Sequence, residues 1–190
     1  QKFKLVLKKM FALVTLALIA IVAAAPQRPT LSETFTAKVA VDFNALHNHK
    51  LGDGLYVVDQ PAGKALEHYT FKNFGKYHFL QRFDLGKVYE IHDSHCESRA
   101  INGTHMRPLW NWLKTAQYEG QRDFKHRKFD IWGEDFGHGF KVEIGVFANS
   151  IDRPAVLVQK FKSDENVYEF FSWNTTKPAA SVFDVPAICN

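Results

Sequence analysis

Polar and apolar residues alternate along most of the chain from residue 34 onward, and this period of two predicts β-strands. The clearest strand covers residues 35–43, where one face is entirely apolar: Phe35, Ala37, Val39, Val41 and Phe43. A second strand is predicted at residues 55–58, directly after a tight turn predicted at the Gly-Asp-Gly of residues 52–54. The same alternation predicts two hairpins and one more strand: residues 77–83 with 88–91, residues 140–146 with 155–161, and residues 167–173.

One segment breaks the period of two. Between residues 108 and 118, four apolar side chains have the spacing of a helix face: Leu109, Trp112, Leu113 and Ala116. Pro108 lies near the first turn and Gly120 lies just past the last one, and both positions suit these residues in a helix. The sequence therefore predicts an α+β fold, with a strongly curved antiparallel sheet packed against one or two helices.

The amino-terminal segment is typical of a secretory signal peptide. Basic residues precede an apolar run at residues 11–22, and small residues follow that run. We predict cleavage after Ala24, which makes residues 1–24 the signal peptide, residues 25–34 a short lead and residues 35–190 a single domain. The mature protein is therefore expected to be secreted, or to reside in the lumen of an endomembrane compartment such as the lysosome.

The balance of charge argues against one class of function. The chain has 24 basic and 20 acidic residues, which gives a formal net charge of +4. The predicted signal peptide contains four of the lysines and no acidic residue, so the rest of the chain has no net charge. Since clustered positive charge supplies most non-specific affinity for nucleic acids, we expect no nucleic-acid partner.

Cys96 and Cys189 are the only two cysteines of the chain. In the oxidising compartment that a signal peptide implies, we predict that they form a disulfide. The alternative is that Cys96, beside His95, is a reactive thiol or a metal ligand, which requires a reduced thiolate. Two acceptor sequences for N-linked glycans, at Asn102 and Asn174, agree with secretion.

Two stretches resemble the ependymin-related secreted proteins. The first is Gly-Leu-Tyr-Val-Val-Asp at residues 54–59, followed by Lys64 and by an aromatic strand region that ends at Cys96. The second is the closing Phe-Asp-Val-Pro-Ala-Ile-Cys at residues 183–189, which has the form Phe-x-x-Pro-x-x-Cys. Two further stretches fit the same family: residues 112–120 and residues 130–132.

The resemblance implies a fold similar to that of the bacterial lipoprotein carriers. In this LolA-like architecture, a bent antiparallel sheet forms a half-open barrel, and helices close its mouth over bound acyl chains. The resemblance thus implies a hydrophobic ligand, a lipid or a fatty acid, which gains about 0.8 kcal/mol for each methylene that it buries. No cofactor is expected.

The predicted ligand site is the apolar face of the sheet together with the helix. Its wall is predicted to be formed by the inward side chains Phe35, Val39, Val41, Tyr56, Phe79, Phe83, Phe140, Val142 and Ile144. The lid is predicted to be formed by Leu109, Trp112 and Leu113. The 17 phenylalanines favour such a face, but the same alternation also describes a solid core, because periodicity does not distinguish a filled interior from a hollow one.

Other chemistry has weaker support in the sequence. Nucleophile elbows, phosphate loops and dinucleotide fingerprints are absent, so we expect no enzyme; a hydrolase that uses Glu134, Asp135 and His138 as acid and base is an alternative. The histidine groups at residues 47–49 and 92–95 match no zinc signature, so no metal site is predicted, and calcium is left open. A further alternative is an extracellular adhesion or matrix glycoprotein without a bound ligand, whose partner lies outside the cell or on a membrane surface.

Overall fold

The structure is a computed structural model that describes residues 26–45, 48–103, 105–148 and 150–189. Eleven strands form one antiparallel sheet in the order β6-β5-β4-β3-β2-β1-β11-β10-β9-β8-β7. In chain order the strands are β1 (Thr34–Ala45), β2 (Asn48–Asp59), β3 (Lys64–Phe71), β4 (Gly75–Arg82), β5 (Lys87–His92), β6 (His95–Ala100), β7 (Gln117–Phe124), β8 (Arg127–Asp135), β9 (Phe140–Val146), β10 (Pro154–Phe161) and β11 (Asp164–Phe170). The sheet does not close, because β6 and β7 form its two edges.

The predicted strands are confirmed. Residues 35–43 lie in β1, residues 55–58 lie in β2, and the two predicted hairpins are β4 with β5 and β9 with β10. The last predicted strand corresponds to β11, which ends at Phe170. Four strands were not predicted, namely β3, β6, β7 and β8.

The predicted turn at residues 52–54 is wrong. Gly52 and Gly54 lie inside β2, where they pair with β1 on one side and with β3 on the other. A Cβ atom on Gly54 would lie 1.8 Å from the carbonyl oxygen of His68, and one on Gly52 would lie 2.7 Å from the ring of Phe71. Both glycines therefore serve close packing inside the sheet rather than a change of chain direction.

The predicted helix at residues 108–118 is also corrected. Helical structure in the described ranges is limited to 3-10 segments of three or four residues: Gln60–Ala62, Phe83–Leu85, Asn111–Lys114, Ala180–Phe183 and Ala187–Cys189. The predicted helix is reduced to Asn111–Lys114, and the chain has already entered β7 at Gln117. The fold is thus mostly sheet and lacks the two-layer packing of helix on sheet that an α+β domain implies.

Contacts to the chain that precedes β1 hold the start of the short 3-10 segment in place. The carboxylate of Glu33 accepts hydrogen bonds from the backbone N–H groups of Leu109, at 2.6 Å, and Trp110, at 3.0 Å. The indole N–H of Trp110 donates to the carbonyl of Ser32 at 3.0 Å. The spacing of the apolar residues therefore reflects an irregular segment that is held against the sheet by these bonds.

The sheet is strongly curved, as the contacts between aromatic rings on its concave, inner face demonstrate. In a flat sheet β3 and β11 would be separated by about 14 Å, because three strand spacings lie between them. The ring centroids of Tyr69 on β3 and Tyr168 on β11 are only 6.5 Å apart. Phe43 on β1 contacts both rings, with centroid distances of 5.7 Å to Tyr69 and 5.4 Å to Tyr168.

The carboxyl-terminal segment covers part of the convex, outer face. Phe183 is buried there in a small apolar cluster with Val57, Leu80 and Tyr89. The predicted disulfide is confirmed: Cys96 on the edge strand β6 is bonded to Cys189, with the two Cα atoms 5.3 Å apart. The end of the chain is therefore fastened across β2, β4, β5 and β6.

Several predictions concern residues or properties that the structure does not test. The signal peptide and its cleavage site lie outside the described residues. The side chains of Asn102 and Asn174 are exposed, and their glycosylation stays a prediction. Within the described ranges, no helix has the length and apolar character needed to cross a membrane.

A buried carboxylate on the outer face is neutralised by three cations. Glu143 on β9 is only 3% exposed, and its oxygens lie 2.7 Å from Arg122, 2.7 Å from Lys141 and 3.4 Å from Lys160. Burial alone would raise the pKa of this carboxyl, but the hydrogen bonds from Arg122 and Lys141 and the charge of Lys160 lower it from 4.5 to about 2. The charged form is thus the one that the fold stabilises.

This depressed pKa predicts a specific acid sensitivity. The stabilising contribution of Glu143 is fully present above the unfolded pKa of 4.5 and is lost as the pH falls toward the folded pKa of about 2. We expect the difference in unfolding free energy between the wild type and Glu143→Gln, measured by urea denaturation, to be constant at neutral pH and to shrink below pH 4.5. Glu165→Gln is the matched control, because the side chain of Glu165 is 46% exposed and pairs with Lys160 at 3.7 Å; its effect should be within about 1 kcal/mol. A Glu143→Gln difference that does not change with pH would contradict the assignment.

Candidate functional site

The inner face has two ends with different packing. At the lower end, where Gln60–Ala62 joins β2 to β3, the described residues of the segment 101–116, between β6 and β7, pack on the concave side. Phe35 on β1 is completely buried there, with its ring stacked on Trp173 at 4.1 Å and tilted against Trp110 at 6.1 Å. The side-chain amide of Gln60 donates a hydrogen bond of 2.8 Å to the carbonyl of Met106 in this segment. This half of the concave side is therefore a solid aromatic core.

The upper end, where residues 72–74 join β3 to β4, contains an open cavity of about 320 Å³. Its lining residues come from five neighbouring strands and one turn: Phe43, Lys50, Phe71, Phe74, Tyr77, Glu90 and His92. The volume is at the lower limit of the range of about 300–1,000 Å³ that is usual for small-molecule sites. The cavity is thus large enough for part of a ligand and is bounded mainly by aromatic rings.

The polar groups of the cavity lie at its rim. The ammonium of Lys50 lies 5.0 Å from the centroid of the Phe74 ring, and the ring of His92 lies 4.8 Å from that of Tyr77. Glu90 forms an ion pair with Arg99 on β6, whereas Lys50 forms none with a carboxylate of the described residues. The uncompensated charge at the rim is therefore positive.

Tyrosines and one carboxyl group introduce polar atoms into the aromatic interior next to the cavity. Glu67 on β3 faces inward between Tyr56 and Phe79, and it accepts a hydrogen bond of 2.7 Å from the hydroxyl of Tyr69. Burial raises the pKa of Glu67, and burial together with the charge of Glu67 raises the pKa of Tyr69 and Tyr56 well above 10. Both phenols therefore stay neutral, and the hydroxyl of Tyr69 acts as a hydrogen-bond donor in an otherwise apolar surface.

The side chain of Tyr77 lines the cavity directly. Its pKa is raised to about 12, first by burial and then by the charge of Glu90. The hydroxyl of Tyr77 consequently stays protonated at any physiological pH and can donate a hydrogen bond to a ligand oxygen. The polar groups that accompany the aromatic wall are thus the hydroxyl of Tyr77, the ammonium of Lys50, the imidazole of His92 and the carboxylate of Glu90, which is paired with Arg99.

The structure brings the predicted site residues together on the inner face, but it places them in the core. Seven are buried in one cluster: Phe35, Val39, Val41, Tyr56, Leu113, Val142 and Ile144. Four more pack against that cluster: Phe83, Leu109, Trp112 and Phe140. Phe79 lies parallel to Tyr77 with a centroid distance of 6.4 Å. None of these twelve lines the upper cavity, and their role as ligand contacts stays a prediction.

The cavity residues were partly accessible from the sequence. Phe43 and Tyr77 fall on the apolar faces that alternation assigns to β1 and β4. Phe71 belongs to a strand that was not predicted, and Phe74 lies in a turn. Lys50 and His92 carry no motif, so that only the curvature of the sheet reveals their position at the rim.

The candidate hydrolase loop has a structural use in this fold. The carboxylate of Asp135 accepts a hydrogen bond of 2.8 Å from the backbone N–H of Gly137, which stabilises the turn between β8 and β9. His138 is exposed in that turn, while Glu134 lies within β8 on the inner face, opposite Val142. Catalysis by these residues stays an alternative that the structure does not test.

The histidine groups show no constellation of metal ligands in the described residues. Nowhere in those ranges do three or more His, Cys, Asp or Glu side chains converge as they would around an ion. His92 and His95 are opposite each other at the ends of β5 and β6, and the carboxylate of Asp93 accepts a hydrogen bond of 2.9 Å from the N–H of Lys76. His49 lies 3.4 Å from Asp42.

Comparisons with known proteins support the fold alone. No protein-family model and no curated protein matches the chain. An uncharacterized conserved protein from Thermus thermophilus has a similar crystal structure, with a TM-score of 0.51 and 9% identity over 82% of this chain and 87% of that one. The two chains share a fold.

Two further solved structures are similar at lower TM-scores. LprF from Mycobacterium bovis has a TM-score of 0.43 and 13% identity over 77% of this chain and 89% of its own. A LolA superfamily protein from Nitrosomonas europaea has a TM-score of 0.41 and 10% identity over 80% of this chain and 90% of its own. The resemblance to the ependymin-related proteins stays a prediction.

Proposed function

We propose that this protein is a secreted, non-enzymatic carrier that binds the tail of a lipid or fatty acid in the upper cavity. The observation that carries the proposal is the open, aromatic cavity of about 320 Å³ at one end of a concave sheet whose other end is filled. The ependymin-like motifs of the sequence, and the carrier fold that this resemblance implies, agree with this function.

The shape of the cavity favours a single hydrocarbon chain. Phe43, Phe71 and Tyr77 form its wall, and residues 101–116 close the inner face below it. Each methylene transferred from water to this wall contributes about 0.8 kcal/mol, or about a fourfold gain in affinity. The affinity of a homologous series should therefore rise with chain length and reach a plateau when the cavity is full.

The rim favours an anionic or polar head. Lys50 is positively charged without an ion pair in the described part of the chain, and Tyr77 offers a neutral hydroxyl. A fatty acid carboxylate at the rim would gain a charge-assisted hydrogen bond from the ammonium group. We therefore expect fatty acids to bind more tightly than alcohols of the same chain length.

Calorimetric titration of delipidated protein with saturated fatty acids of increasing length tests this function. Phe74→Asp, which removes a rim ring and adds a negative charge, should weaken binding about tenfold, because apolar contact is lost and the carboxylate is repelled. The matched control is Phe171→Asp, since Phe171 is 57% exposed, compared with 48% for Phe74, and lies just past β11 on the outer face, away from the cavity. The control should bind like the wild type.

Two results would contradict the proposal. The first is the absence of heat and of copurifying lipid for every chain length tested, which would favour the adhesion alternative. The second is equal weakening by Phe74→Asp and Phe171→Asp, which would place the ligand elsewhere on the surface.

A further inference from the structure

The topology places several hairpin turns at the same end of the sheet as the mouth of the cavity. Because all neighbouring strands are antiparallel, the turns at residues 72–74, 93–94, 136–139 and 162–163 all lie at the upper end. Three of the large exposed apolar side chains are in or next to these turns: Phe74, Phe136 and Phe161, with exposed fractions of 48%, 48% and 50%. Such exposure of large rings around one opening is costly unless a partner covers them.

The rings occupy both flanks of the groove. Phe74 projects from the turn between β3 and β4, on the flank that contains the cavity. On the other flank, Phe136 stacks on Phe140 with a centroid distance of 5.3 Å, and Phe161 packs edge-on against Phe140 at 6.5 Å. Phe140 and Phe161 are direct partners in the register of β9 and β10. The aromatic rim is therefore formed by two separate groups with the groove between them.

Lysines accompany the exposed rings. The ammonium of Lys50 lies 5.0 Å from the centroid of Phe74, and that of Lys162 lies 5.3 Å from the centroid of Phe161. Lys72 is exposed two residues before Phe74. Neither Lys50, Lys72 nor Lys162 forms an ion pair with a carboxylate in the described ranges. Rings beside unpaired ammonium groups are the combination that suits a surface with an apolar interior and negatively charged head groups.

We propose that this upper rim docks on an anionic lipid surface. In the docked state Phe74, Phe136 and Phe161 enter the boundary between head groups and acyl chains, while Lys72 and Lys162 contact lipid phosphates. The mouth of the cavity then opens onto the bilayer, so that a lipid tail can pass into the groove without crossing water. The inference rests on the proposed function for this last step only, since docking itself requires no ligand in the cavity.

Vesicle sedimentation tests the docking surface separately from the cavity. The probe is a set of vesicles of phosphatidylcholine alone or with about one third phosphatidylserine, with the full mature chain in low salt. We expect binding to the anionic vesicles and at least about tenfold weaker binding to the neutral ones. Phe136→Ser with Phe161→Ser should weaken binding to anionic vesicles at least about tenfold, and Lys72→Glu with Lys162→Glu should do the same.

The control variants make the outcome decisive. Phe171→Ser removes a ring that is 57% exposed but lies on the outer face, just past the lower end of β11, so vesicle binding should be unchanged. Phe136 and Phe161 do not line the cavity, so their double variant should still bind fatty acid in solution as the wild type does. If the wild type docks on vesicles but does not bind fatty acid, this inference is supported and the proposed function is contradicted.

Three results would overturn the docking proposal. They are equal binding to neutral and anionic vesicles, equal loss of binding in Phe171→Ser and in the Phe136/Phe161 double variant, and no binding of the wild type to either vesicle. The last result would favour another protein, instead of a lipid surface, as the partner that covers the exposed rings.

Discussion

Replacing Cys96 and Cys189 by serine is expected to lower the free energy of unfolding by about 4.5 kcal/mol. The two cysteines are separated by 93 residues, and the loss of loop-closure entropy in the unfolded chain predicts this magnitude for a loop of that length. The same change frees the edge strand β6 and the carboxyl-terminal segment, whose Phe183 is 1% exposed in the fold. For a chain of this size the midpoint of thermal unfolding should fall by about 10 °C or more.

Thermal denaturation of the double serine variant, beside the wild type with and without reductant, measures this effect. The reduced wild type and the double variant should have similar midpoints, because both lack the same covalent link. Ser98→Ala is a suitable control, since Ser98 is an exposed neighbour on β6 and its loss should change the midpoint little. A double variant as stable as the oxidised wild type would show that the disulfide does not contribute to stability.

Phe35→Ala is expected to destabilise the protein by about 3 to 5 kcal/mol, as is usual for removal of a buried ring. Phe35 is fully buried and contacts three rings, with centroid distances of 5.3 Å to Tyr56, 6.1 Å to Trp110 and 4.1 Å to Trp173. Urea denaturation checks the magnitude. Phe161→Ala, which removes a ring that is 50% exposed, should change the unfolding free energy far less.

The same variant separates the core from the ligand site. Phe35 is one of the wall residues that the sequence predicts, but the structure places it at the filled, lower end. If the upper cavity holds the ligand, Phe35→Ala should keep its affinity for fatty acid under conditions where the variant remains folded. Loss of binding by the folded variant would instead show that the ligand extends into the region between Phe35 and residues 101–116.

The strands that the sequence predicts are those with a strong contrast between their two faces. In β1 the residues that face inward from Phe35 to Val41 are buried, whereas Lys38 is exposed. By contrast, β6 is polar and exposed at nearly every position. It forms a strand because its backbone pairs with the edge of β5. Such pairing depends on the neighbouring strand and leaves no periodic trace in the segment itself.

The errors at residues 52–54 and 108–118 have a common physical origin. Glycine is enriched both in turns and where two backbones approach closely. For Gly54 the reason is close approach, and only the position of His68 on the neighbouring strand reveals it. Likewise, the helical spacing of Leu109 and Leu113 arises because an irregular segment buries both residues against the sheet. Local sequence patterns indicate that a residue is buried, but they do not indicate which part of the chain packs against it.

The cavity was the least predictable feature. Alternation correctly assigns Phe43 and Tyr77 to the inward faces of their strands, as it does Phe35 and Val39. Whether such a side chain borders empty space depends on how far the sheet bends and on which segment crosses it. Here residues 101–116 fill one end of the inner face and leave the other end open, and no local pattern in the sequence encodes this asymmetry.

The inner face is open at its upper end and filled at its lower end. Under the proposed function, a hydrocarbon tail enters the upper cavity past Phe74 and Lys50 and leaves by the same route, because the lower half of the inner face is filled around Trp110 and Trp173. Uptake and discharge are then governed by one barrier, so a cargo that is held more firmly is also released more slowly. Direction of transfer would consequently be set by the relative abundance of cargo in donor and acceptor, and not by a separate exit.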